Sequence, residues 1–232
     1  MIALLRYQTA IMLRSHRWIF PVIAYGALIA VGTAGSTPLA EELGWTAAML
    51  VPVVAFLTRS MLTAEPDAAR ACAAAAAGPI RAQLATLLAA FGGGIVLALG
   101  GACFAVLTSE SVAKNQQQAI VAKVTATFAH PQVLAAGLVT AAICLLVGTA
   151  VGALCNPPLL RHPAAAMLAT LAAAIFALAS DVSPAGAALR LSSAAQSQPQ
   201  AAQWPGVVPL AASGCLVAVT WGASVFAAAK RG

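Results

Sequence analysis

GWTAAMLVPVVAFLTRSML (44–62), TAEPDAARACAAAAAGPIR (63–81) and AQLATLLAAFGGGIVLALGGACFAVL (82–107) follow one another without interruption. The outer two strings are apolar and close to or above the length a bilayer demands: at 1.5 Å rise per residue, roughly 20 residues cross the hydrocarbon core. The middle string breaks the pattern with Glu65, Asp67, Arg70 and Arg81. Two long apolar runs around a charged break read as two transmembrane helices joined outside the lipid.

Working outward, four more runs have the same character. The first span covers about 18–36, with Trp18 at the interface, where amphipathic aromatics belong. The second is 45–62, in which Pro52 can introduce a kink. The third is 82–107. The fourth, 133–154, stops at Asn156-Pro157-Pro158, which a helix does not continue through. The fifth, 163–180, opens on Pro163, a good first helical residue. The sixth is 207–228, closed by Lys230 and Arg231. Basic residues followed by the first apolar run mimic a signal peptide, but the run is longer than an h-region and further spans follow, so it reads as retained. Residues 108–132 are polar with room for a short helix, and 181–206 read as a long polar loop.

Composition agrees. Hydrophobic residues make up 61% of the 232 and charged residues only 8%, with mean hydropathy +0.91. A soluble domain carries roughly 25% charged residues to cover its surface. The net charge of +6 does not imply nucleic acid, because the cations flank apolar runs and form no basic stripe interleaved with aromatics. Counted by alternate sides, Arg6, Arg14, Arg17, Arg59, Arg70, Arg81, Arg161, Lys230 and Arg231 share one side, and Lys114, Lys123 and Arg190 the other. The basic side is the cytoplasmic one, so both termini are expected in the cytoplasm of a plasma-membrane protein. The fold class is therefore an all-α polytopic membrane protein of six spans, with residues 1–232 forming one domain.

Residues 1–17 are not a span. Leu4, Leu5, Ile11 and Met12 recur with Arg6, Gln8, Arg14 and Arg17 between them, the pattern of a basic amphipathic helix lying at the membrane interface near anionic lipid. A plain charged flank is the alternative. In the break at 63–81, Glu65 can cap a helix that begins at Pro66. Asp67 suits the positive end of the helix dipole, and Arg70 lies three residues on for an ion pair. Alanines 73–77 favour the helix, Gly78 ends it and Pro79 starts the next. The result is a slim helix of roughly 12 residues, about 18 Å long, able to sit in a partner's groove or simply to form a turn.

Other chemistry is thin. Arg59 reads as snorkelling to the interface, with a charge at an internal cavity as the alternative. No acidic residue lies near the middle of a span, which argues against an ion-coupled carrier. His16, His130 and His162 do not cluster, and Cys72, Cys103, Cys144, Cys155 and Cys215 form no CxxC pair, so no metal site is expected. GxSxG, HExxH and GxxxxGK[ST] are all missing. No catalytic residue is expected, nor is ATP hydrolysis by this chain. Gly92, Gly93, Gly94, Gly100 and Gly101 read as close-packing positions within or between chains, or as a hinge.

LLRYQTAIMLRSHRW (4–18) and LTRSMLTAEPDAARACAAAAAGPIRA (57–82), with the six-span organisation, resemble the ABC transporter type-2 permease family, the membrane subunits of ATP-driven exporters, in its actinobacterial form. The resemblance covers nearly the whole chain and rests on organisation. It implies that residues 1–17 and the coupling helix 65–78 contact a cytoplasmic ATPase dimer, with Arg6, Arg14, Glu65, Asp67 and Arg70 at that contact. It also implies a second permease chain, identical or paralogous, with an amphiphilic substrate moving outward through the cleft between them. ATP and Mg would sit on the ATPase, with no cofactor in this chain and no nucleic-acid partner. The polar segment 181–206, with Arg190, Gln196, Gln198 and Gln203, departs from the apolar re-entrant hairpin of some members. The rival reading is a non-transporting membrane sensor or assembly protein that recruits a cytoplasmic partner.

Overall fold

The computed structural model describes residues 2–32, 39–108, 131–155, 163–180, 183–197 and 207–229. All secondary structure among them is helical. The helices are α1 (Ile2–Arg14), α2 (Ile19–Gly32), α3 (Leu39–Leu62), α4 (Asp67–Ala77), α5 (Pro79–Thr108), α6 (Pro131–Leu154), α7 (Pro163–Ala179), α8 (Pro184–Ser197) and α9 (Val207–Ala229). Four are long and apolar enough to cross a membrane: α3, α5, α6 and α9. A fifth crossing is counted if α7 and α8, which meet at a 44° bend, form one broken span.

The six-span expectation therefore holds only in part. Expected spans two, three, four and six correspond to α3, α5, α6 and α9. The first corresponds to α2, whose 14 residues reach about 21 Å, short of the roughly 30 Å hydrocarbon core; positions 33–36 lie outside the described residues. The fifth corresponds to α7, with 17 residues. The segment 181–206 is not simply a loop. It contains α8, whose Ala185 and Ala188 are fully buried. Alanines at this i, i+3 spacing present one small-residue face, enough to pack in spite of the polar composition around them. The possible helix within 108–132 falls almost entirely outside the described residues.

α3 is the central helix, with 67% of its apolar window buried. It runs unbroken through Pro52. Its Val51 and Ala55 pack with Ile143, Val147 and Val151 of α6, and with Ala185 and Ala188 of α8. Leu50, Val53 and Val54 pack with Tyr25 and Ile29 of α2 and Leu145 of α6. The close approach of α6 depends on Gly148 and Gly152, four residues apart. A Cβ on Gly152 would stand 2.5 Å from the Ala55 carbonyl oxygen and 2.7 Å from Thr58 Cβ, and one on Gly148 would stand 2.9 Å from the Val51 carbonyl oxygen. Only glycine admits two helix backbones this near.

The α5 glycines divide by face. Gly94 abuts Leu145 and Val54, Gly101 abuts Tyr25, and Gly93 lies against Met12 and Leu57, whereas Gly92 and Gly100 face open space. At the end of the bundle where α3 begins, Thr108 of α5 donates to Glu42 Oε2 at 2.9 Å. Glu42 is thus buried within the first turn of α3. Nearby, Trp45 Nε1 donates to the Leu28 carbonyl at 3.1 Å and Tyr25 donates its hydroxyl to the Thr46 carbonyl at 3.1 Å.

Candidate functional site at the α1–α3–α4 corner

At the opposite end, α3 turns through residues 63–66 into α4. Pro66 is the N-cap, with no side-chain capping bond. Gly78 closes the helix at φ +86° and ψ 145°, and its amide donates to the Ala74 carbonyl at 2.8 Å. An L side chain rarely adopts that backbone conformation, so glycine is needed there. α5 then starts at Pro79. The expected stop and restart at Gly78-Pro79 is what the chain does. The expected cap is not: Glu65 turns its carboxylate away from α4.

Glu65 faces α1 instead. Its Oε2 accepts a hydrogen bond from Gln8 Nε2 at 3.2 Å. Gln8 is only 2% exposed and Glu65 8%. A buried amide must find a partner or lose its hydration uncompensated, and a carboxylate is the stronger acceptor. Tyr7 adds to the same tie. Tyr7 is 43% exposed; partial desolvation first, then the Glu65 charge and a hydrogen bond to it, raise the phenol above its ordinary pKa. Around these groups, Leu5 and Met12 pack on Met61 of α3 and on Ala89 and Ala90 of α5. The apolar stripe of α1 is thus at least partly spent on the protein. Ile2 and Leu13, with Arg6 and Arg14, remain exposed on the other side.

Two guanidinium groups finish the C-terminal end of α3. Arg70 Nη2 donates to the carbonyls of Leu62 at 3.0 Å and Glu65 at 3.1 Å, and Arg17 Nη1 donates to that of Thr63 at 3.3 Å. Cations here satisfy terminal carbonyls and suit the negative end of the helix dipole. The Arg70 bonds run back to Leu62, the last residue of α3, and to the turn after it; the side chain of Asp67, with which the sequence suggests an ion pair, lies outside what the structure describes.

The corner brings together most of the residues expected at a partner contact, but not in the expected way. Arg6, Arg14 and Arg70 are exposed; Glu65 is buried and internally bonded. Arg59 is 7% exposed, so it does not snorkel into water. None of residues 68–77 is buried, and Ala68, Ala71, Cys72, Ala75 and Ala76 form an open face of small side chains. The sequence reading counts Gln8 with the polar residues of the amphipathic helix and misses its role as the partner of Glu65, although a polar residue centred among Leu4, Leu5, Ile11 and Met12 is a usable signal. Among the described residues no group of three His, Cys, Asp or Glu is placed to hold a metal ion, and the five cysteines are free thiols. Comparisons with protein-family models, curated proteins and solved structures find no match to this chain.

Proposed function

We propose that this chain is the membrane-spanning permease subunit of an ATP-driven exporter, working as a dimer on a cytoplasmic ATPase dimer. The observation that carries the reading is α4. An 11-residue helix built of alanines is too short to persist in water by propensity alone. Here it is held between α3 and α5 by Pro66, Gly78 and the Arg70 bonds, with its outer face unpartnered. A helix whose open face, Ala68, Ala71, Cys72, Ala75 and Ala76, is made of methyls and one thiol suits a groove in another protein. Its attachment to α1 through the buried Glu65 would let one partner act on both helices.

In this reading the bundle spans the plasma membrane six times, with α2 and α7 completing the crossings and both termini inside. ATP and Mg belong to the partner. Binding there would press on α4 and α1, and α3, the central helix, would carry the displacement into the bundle. The substrate is an amphiphile that leaves through an apolar cleft between two copies. The exposed Arg6 and Arg14 would meet acidic groups on the ATPase.

The test keeps the fold intact. Ala71→Glu and Ala75→Glu place charge on the open face of α4. The wild-type chain, purified from its own cells, is expected to carry a nucleotide-binding protein and ATPase activity, and the double variant to lose at least about 90% of both, because a buried unpaired charge removes several kcal/mol from an interface. A wild-type chain that brings down no nucleotide-binding protein favours the sensor or assembly reading. Equal recovery with both forms removes α4 from the contact.

A further inference from the structure

We draw no further inference here: the strongest candidate, the exposed small-residue face of α9 formed by Ala211, Gly214, Cys215, Ala218 and Gly222, is an unpartnered apolar stripe, and nothing in the structure shows what covers it.

Discussion

Across the seam between α3 and α6, methyl groups meet glycines; at the corner between α1, α3 and α4, hydrogen bonds carry the join. The seam uses Val51, Val54, Ala55 and Thr58 against Gly148 and Gly152. The corner uses Gln8, Tyr7 and Arg17 of the N-terminal segment against Glu65 and Thr63, with a small apolar patch under Met12. In lipid, apolar burial does little to draw helices together, so a permanent join needs close backbone approach. At the water boundary, a few polar ties suffice and can be remade. The seam has the character of a fixed frame, and the corner that of a part with low local stability.

The sharpest way to break that contrast is to fill a glycine in each kind of place. Gly152→Leu drives a side chain into the Ala55 carbonyl, where the Cβ alone would stand 2.5 Å away. The expected loss is about 3 kcal/mol or more, a fall in Tm of roughly 6–12 °C for a chain of this size, read by thermal unfolding in detergent. Gly222→Leu on α9 meets open space and should stay within about 0.5 kcal/mol of wild type. Equal losses in the two variants would mean that α9 is packed against something in the assembled protein.

Gly78→Ala comes next, at the corner. Its φ of +86° with ψ 145° strains any side chain by about 1–3 kcal/mol. The change should unravel the end of α4, raising amide exchange there, with α3 and α6 unaffected. Glu65→Gln follows. It keeps the shape and removes the charge from a hydrogen bond between two buried groups, a loss of about 1–2 kcal/mol. Amides of α1 should exchange roughly tenfold faster while those of the seam hold their protection. Seam amides that loosen in step with α1 would show that the two regions are one cooperative unit.

How much of this was legible in the sequence follows the same divide. Long apolar runs with punctuation at their ends were plain, because hydrocarbon thickness and proline sterics act on any chain alike. The turn from α4 to α5 was readable for the same reason: Gly78-Pro79 is local chemistry. What the sequence reading missed depends on partners distant in the chain. Gly148 and Gly152 carry the small-residue spacing, yet α5 is richer in glycine, and nothing local says which set meets a backbone. α8 was read as loop because its composition is polar, although Ala185 and Ala188 on one face suffice to bury it against α3 and α6. Glu65 was assigned to capping because its position before Pro66 fits that role; Gln8, 57 residues earlier, competes for the same carboxylate and wins.

The smallest expected effect tests that competition directly. Tyr7 and Tyr25 are the only tyrosines of the sequence, so in a Tyr25→Phe background the tyrosinate absorbance reports Tyr7 alone. Partial desolvation and the Glu65 carboxylate raise its pKa above the ordinary 10. A raised phenol pKa means the folded state keeps its proton where the unfolded chain would lose it. The contribution to α1 docking is therefore complete below pH 10 and is lost as pH rises through the folded value. Glu65→Gln removes the charge but not the partial desolvation by neighbouring groups, so the midpoint should fall back toward about 10. A midpoint that does not move in Glu65→Gln would separate Tyr7 from Glu65 and leave Gln8 as the side chain of α1 that holds the carboxylate.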